Sequence, residues 1–221
     1  MNTQLGLGIY DLREAARFTR LNPTRVRRWF VQRPSEPNRK PVLHSDYSAI
    51  QGDPAISFLD LIDVFVFGQL RTHGVSLPTL RKVSVQLTKV LDTRHPFAHH
   101  RLATDGQEVF LRGIDADGKD ELIEVLTRQR VFPEIIAPFL KKLDYDPSTD
   151  LARLWHIGRG VILDPRIAMG KPVVEGVYVK TDLLAAAWEA NKRNAEAVAR
   201  WYNVGPQDVL RAVEFELGQA A

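Results

Sequence analysis

The chain has 221 residues, of which 44% are hydrophobic and 26% charged, the proportions of a globular protein with room for one large or two small domains. It holds no cysteine, which excludes disulfides, thiolate metal sites and cysteine nucleophiles, and no apolar run approaches the roughly 18 residues of a membrane span. The formal net charge of +3 is uneven: residues 1–113 carry 16 Lys+Arg against 10 Asp+Glu, giving +6, and residues 114–221 carry 14 against 17, giving −3.

The stretch from Met1 to Ala16 lacks both a basic segment and a continuous apolar core, so it does not read as a secretory signal, and cytoplasmic residence is expected. Within the basic half, Tyr10 to Phe30 reads as a helix-turn-helix. Leu12, Ala15, Ala16 and Thr19 share a face of a first short helix, and the small alanines allow a second helix to cross closely. Asn22 is a favoured N-cap and Pro23 suits the first helical position, where its missing N–H costs nothing. Val26 and Phe30 then face inward with Trp29 at the margin, and Thr24, Arg25 and Arg28 face outward. Outward guanidiniums and a hydroxyl early in a second helix suit guanine edges and phosphates, so these residues point to double-stranded DNA, with Arg27 at the flank contacting backbone. A solvated basic face on an ordinary helical pair has the same pattern.

Residues 31–58 are rich in Pro, Ser, Asp and Gly and are expected to form a loop-and-ribbon wing whose Arg33, Arg39 and Lys40 reach phosphates. Leu59 to Thr72 is apolar nearly all round, as in a helix buried between others, and Gly74 ends it. Ser76 caps a second long helix with Leu77, Leu80, Val83, Leu87 and Leu91 at three- and four-residue steps. That stripe is expected to serve partly as core and partly as the seam of a homodimer. The order of helix-turn-helix, wing, helix, His-Gly-Val-Ser-Leu and helix resembles the MerR-type winged-helix fold. His95, His99 and His100 are read as a wet, proline-broken loop, and no metal is expected there.

Leu102 to Arg112 contains Asp105-Gly106 before an alternating run, which predicts a hairpin strand, and Glu121 to Phe132, after the turn Asp115–Gly118, fits strand or helix, a strand pairing with the first being preferred. The acidic runs Asp115, Asp117, Asp120, Glu121 and Asp144, Asp146, Ser148, Asp150 lack the glycine and glutamate of a calcium loop and read as turns. Pro133 to Lys142 is expected to be helical with Ile135, Ile136, Phe139 and Leu140 inward, and Leu151 to Gly158 to hold a short strand carrying Leu154 and Ile157.

From Gly160 the chain reads as strands Val161 to Leu163 and Val173 to Val179, then three helices. Asn194 caps one with Ala197, Val198 and Trp201 inward, Asn203 to Gly205 turns, and Pro206 opens the last with Val209, Leu210 and Val213 apolar. Gln207, Asp208 and Glu214 make its outer face a poor DNA reader, which favours protein contact. The positions Asp164, Pro165, Arg166, Gly170, Lys171, Pro172, Val173, Gly176, Ala199, Tyr202, Val204, Asp208, Val209 and Ala212 resemble a small antitoxin-associated domain family. Tyr178 stands where that family usually has Arg, and Asn-Lys-Arg-Asn replaces its usual Gly-Glu-Ser.

With the MerR-like half, nearly the whole chain resembles the two-domain VapB-type antitoxins. The resemblance implies a PIN-domain ribonuclease toxin as partner, neutralised by a basic side chain reaching its acidic metal site, and repression of the chain's own promoter. Arg166, Lys171, Arg200 and Arg211 are the candidates for toxin contact. No enzymatic activity and no cofactor are expected: Gly158 to Gly160 lacks the spacing of a phosphate loop, and neither a Ser-His-Asp order nor His-Glu-x-x-His occurs. The alternative is a MerR-like transcriptional regulator without a toxin. The expected architecture is mainly α with small β elements: a MerR-like winged helix-turn-helix over 1–113, a connecting β/α segment over 114–158, and a smaller three-helix domain with a β-hairpin over 159–221.

Overall fold

The structure is a computed structural model that describes residues 7–31, 41–47, 54–112 and 131–220. It is mainly helical with small antiparallel β elements, and it divides into two compact units, Tyr10–Arg153 and Leu154–Ala221, the latter joined by Met1–Ile9.

In the first unit, β1 (Tyr10–Asp11) pairs antiparallel with β2 (Ala55–Ile56), setting Tyr10 opposite Ile56. The end of the expected wing is thus anchored beside the strand that precedes the first helix, α1 (Leu12–Thr19). Asp11 caps α1 by accepting the N–H groups of Arg13 and Glu14 at 2.7 Å, and the Glu14 carboxylate accepts the Asp11 N–H at 3.0 Å. This reciprocal box satisfies donors that the first helical turn leaves open. Arg20 in the left-handed region (φ 55°) stops α1, and Asn22 restarts the chain as α2 (Pro23–Phe30) by accepting the Arg25 N–H at 3.2 Å.

Helix α3 (Phe58–Thr72) has ten of its fifteen residues buried, as its all-round apolarity predicts. Ser57 and Asp60 form its capping box. Helix α4 (Leu77–Leu91), capped by Ser76, buries Leu80, Val83, Leu87 and Leu91 inside the unit, so that stripe is core; the apolar side chains α4 exposes are Val85 and Val90.

Residues 101–112 form a helix, α5 (Arg101–Arg112), kinked at Asp105, where a hairpin strand was expected. Leu102, Gly106, Val109 and Phe110 are all buried, and their spacing is that of one helical face. Asp105-Gly106 is therefore no hairpin turn. A Cβ at Gly106 would lie 2.0 Å from Cζ of Phe132, so the glycine admits a ring that also packs edge-on to Phe110 at 6.1 Å. The expected turn Asp115–Gly118 and nearly all of the strand predicted after it lie outside the described residues.

The helix expected from Pro133 begins as a wide turn over Phe132–Ile136, with the Ala137 N–H donating to the Phe132 carbonyl five residues back, and continues as α6 (Ala137–Leu140). Pro138 withholds the N–H that an α-turn would direct to Glu134. After β3 (Leu143–Tyr145), the carboxylate of Asp146 accepts the Ser148 N–H at 2.8 Å and closes the acidic turn.

The second unit begins within β4 (Ala152–Gly158), which pairs antiparallel with β5 (Val161–Leu163), and β5 pairs in turn with β6 (Val173–Val174). The expected strand to Val179 stops at Val174 because Gly176 (φ 87°) and Tyr178 (φ 58°) turn the chain, and the Tyr178 N–H donates to Val174 at 2.8 Å. Three helices follow: α7 (Thr181–Ala190), α8 (Ala195–Tyr202) and α9 (Pro206–Ala220). Asn194 caps α8 through the Ala197 N–H at 2.9 Å. The core joins Val174 and Leu184 to Ala195, Val198, Ala199, Val209, Ala212 and Val213. Trp201, expected inward, is exposed at 67%, and Leu210, on the apolar run of α9, at 40%. The inward face of α8 is centred on Ala195, Ala199 and Tyr202, with Val198 on its edge, and Trp201 falls beyond that edge.

Gly106→Ala should destabilise the fold by about 1–3 kcal/mol through overpacking against Phe132, outweighing the usual helical gain from alanine. Gly218→Ala in α9, with nothing within 4 Å of the added Cβ, should be neutral or stabilising by up to about 1 kcal/mol. Chemical denaturation of the two variants checks both signs.

Candidate functional site

The α1–α2 pair carries six exposed arginines in close succession. Leu21, in the turn, packs against Gly68 of α3, where a Cβ would sit 2.3 Å from a Leu21 methyl. Val26 is fully buried and Trp29 nearly so, its ring edge-on to Phe67 at 4.9 Å. It is Trp29 that forms the anchor; Phe30, expected inward, is half-exposed. Fixing that face leaves Thr24, Arg25, Arg27 and Arg28 exposed, on a helix without an acidic residue in its first turn. Arg13, Arg17 and Arg20 are exposed on α1 and the turn, a basic contribution that the reading centred on α2 missed. Arg17 lies 4.9 Å over the Phe18 ring. Arg33, Arg39 and Lys40 lie outside the described residues.

The four basic candidates of the second unit differ in their engagement. Asp164, 2% exposed, accepts Nε of Arg166 at 2.9 Å and Nη2 at 2.6 Å, together with the Arg166 N–H at 2.9 Å. Asp164-Pro165-Arg166 is thus a self-clamped turn, and the buried carboxylate has its cation. Arg211 bonds Asp208 at 3.0 Å, and Asp208 in turn accepts the Gly205 N–H at 3.0 Å. Lys171 is half-buried, whereas Arg200 is exposed on α8 beside exposed Trp201.

A further cluster was not foreseen from the sequence. His95, expected in a wet loop, is 8% exposed, and its ring lies among three aspartates. Its Nδ1 is 3.0 Å from Asp63 Oδ2 and 3.7 Å from Asp60 Oδ1, and its Nε2 is 3.1 Å from Asp46 Oδ2. Asp63 also accepts the Phe97 N–H at 3.1 Å, Asp46 accepts the Ser57 hydroxyl at 2.7 Å, and Asp60 Oδ2 accepts the N–H groups of Ser57 and Asp46 at 2.9 and 3.1 Å. His99 is buried as well, while His100 is exposed. The legible signal was the pair Asp60 and Asp63 on an otherwise apolar helix, since buried carboxylates require a cation.

Burial opposes the charging of His95, yet its hydrogen bonds to Asp46 and Asp63 and their charges outweigh it and push the imidazole up to about 10. Burial pushes Asp60 up to about 6, against the hydrogen bonds from the Ser57 and Asp46 backbone. The bond from His95 draws Asp46 below the usual carboxylate range. Beside this cluster is a cavity of about 580 Å³ whose lining includes Phe30, Leu43, Asp60, Asp63, Val85 and His95.

No family model matches the chain. Among curated proteins it is similar to a Mycobacterium tuberculosis protein described as "Putative antitoxin VapB45", at 26% identity over 93% of this chain and 92% of that one. Among solved structures it is similar to the crystal structure of Rv2018 from Mycobacterium tuberculosis, with a TM-score of 0.69 and 23% identity over 92% of this chain and 96% of that one. The second likeness shows a common fold.

His95 is held above the ordinary histidine value of 6.5, so its stabilisation is complete below about pH 6.5 and lost as pH rises through about 10. Asp60, raised to about 6, titrates mostly below that window, and burial raises Asp63, in direct contact with His95, as well. His95→Gln should therefore cost about 3 kcal/mol at pH 7, and the gap from the wild type should shrink towards pH 10. Denaturant melts across that range decide it; a gap independent of pH refutes a charged His95.

Proposed function

We propose that this chain is the antitoxin of a type II toxin–antitoxin pair, which binds and neutralises a PIN-domain ribonuclease and represses its own operon by binding the promoter. The observation that carries the reading is the likeness to the curated antitoxin relative, which extends over 93% of this chain. No described helix is long and apolar enough to cross a membrane, and the chain is proposed to act in the cytoplasm as a homodimer.

In this reading the MerR-like α1–α2 pair enters the major groove. Thr24, Arg25 and Arg28 meet base edges and phosphates, and Arg27, Arg33, Arg39 and Lys40 neutralise backbone. Arg13, Arg17 and Arg20 extend the same positive surface. In the second unit, Arg200 leads the toxin contact because Arg166 and Arg211 each hold an aspartate of their own turn, and Lys171 sits at the margin. A guanidinium reaching the toxin's carboxylates would compete with the catalytic metal by charge-assisted hydrogen bonds. The cavity beside Phe30 favours a second reading, a ligand-responsive regulator without a toxin, whose mark would be DNA affinity that changes with a small molecule.

Co-expression with the product of the neighbouring gene, followed by pull-down and a growth assay, tests the toxin partner. Co-purification with rescue of growth is expected; neither would leave only the regulator. Arg25→Ala and Arg28→Ala should each weaken promoter binding by about 1–3 kcal/mol and relax specificity at one position. Lys40→Ala should weaken binding to all sequences and reduce the salt slope by about one unit, as fluorescence anisotropy at several salt concentrations would show.

A further inference from the structure

Asp46, Asp60 and His95 come from three separate places in the first unit: the segment after α2, the first turn of α3 and the loop after α4. Each offers a ligand atom, a carboxylate oxygen or a ring nitrogen, and these atoms lie within 4.8 Å of one another. First-row divalent metals bind imidazole and carboxylate at about 2.0–2.2 Å, so ligand atoms of one ion lie within about 4.4 Å of each other, and small side-chain adjustments bring these three into that range.

A buried acidic cluster can be complete without a metal, and most of this one is. Asp63 takes His95 Nδ1 and the Phe97 N–H, and Asp46 takes His95 Nε2 and the Ser57 hydroxyl. Asp60 is different. Its side chain is 1% exposed, and one oxygen is held by two backbone N–H groups, but Oδ1 is buried and accepts no hydrogen bond. His95 Nδ1 stands 3.7 Å from Oδ1, beyond hydrogen-bond reach. An orphan carboxylate oxygen in the interior is costly unless something is bound to it.

Three carboxylates converge on one imidazole, and Arg94, largely exposed, reaches only Asp46, at 3.7 Å. Asp60 and His95 also line the cavity of about 580 Å³, which gives an ion an entry path and room for the water that would complete its coordination.

We propose that Asp46, Asp60 and His95 form a binding site for one divalent first-row transition cation of the zinc type, the ion taking the place of the proton on the His95 nitrogen that faces it, with Asp60 Oδ1 as the ligand that no described residue satisfies. One imidazole with two carboxylates and no thiolate favours such an ion over magnesium or calcium, which prefer all-oxygen shells. The bound ion ties the segment after α2 to α3. That segment already returns to the end of α2, the N–H groups of Val42 and Leu43 both donating to the Trp29 carbonyl at 2.9 and 3.1 Å. The site stands apart from the antitoxin reading and does not depend on it.

The test uses the full-length, tag-free chain stripped with chelator and titrated with ZnCl₂ by calorimetry and with CoCl₂ by visible absorption. The expected result is one equivalent bound per chain, cobalt bands of nitrogen and oxygen ligation, a raised melting temperature and no comparable response to MgCl₂. Asp60→Asn and His95→Gln should each weaken zinc binding by more than about tenfold, beyond the least loss typical of removing an outer-sphere partner, while His100→Gln leaves it unchanged. Absence of stoichiometric zinc and cobalt binding to the wild-type chain overturns the proposal, whatever the fate of the variants. So does binding that folded Asp60→Asn and His95→Gln proteins, checked by circular dichroism, retain in full.

Discussion

Helix α3 buries ten of its fifteen residues, and two of the side chains it buries are aspartates. Apolar burial alone would make Phe58–Thr72 the central beam of its unit, but Asp60 and Asp63 add a condition: the interior must supply hydrogen bonds and positive charge at the helix's first turns. His95 supplies both. The loop after α4 is therefore drawn in against α3, with Phe97 seated beside it through its N–H to Asp63. Asp46 binds the opposite nitrogen of the ring and brings with it the segment that follows α2. One imidazole thus holds three chain segments that are far apart in sequence.

The same beam sets how the two short N-terminal helices stand. Leu21 drops against Gly68, and Trp29 meets Phe67, so the turn and the end of α2 are both seated on α3. With that face fixed, the arginines have no place but the outside, and the basic surface is a consequence of packing as much as of composition. In the second unit the corresponding constraint is Asp164, a buried carboxylate whose charge is matched by Arg166 two residues on. The basic side chain that motif reading assigns to a partner is in this case occupied at home.

Much of this was legible in the sequence where the signal was local. The caps Asn22, Ser76 and Asn194 and the helical period of α4 are short-range patterns, and the structure has them as read, with Leu80, Val83, Leu87 and Leu91 of the stripe buried. The mainly helical architecture with small β elements follows from the same patterns. Asp105-Gly106 was misread because a close approach by Phe132, a residue remote in sequence, and not a turn, is what the glycine accommodates. Trp201 was placed inward by type, yet the small residues Ala195 and Ala199 face the core and the indole is exposed. The His95 cluster was illegible by spacing, since its carboxylates lie 49, 35 and 32 residues away. Only the two aspartates on an apolar helix hinted that a buried cation had to arrive from elsewhere.

We propose above that this chain silences a ribonuclease. The most direct measurement is an RNA-cleavage assay with the purified product of the neighbouring gene, to which the full-length chain is added in increasing amounts. Cleavage should stop near an equimolar ratio and return when Arg200 is replaced by Glu. Cleavage that continues undiminished in excess chain, or a neighbouring product with no ribonuclease activity, would contradict it.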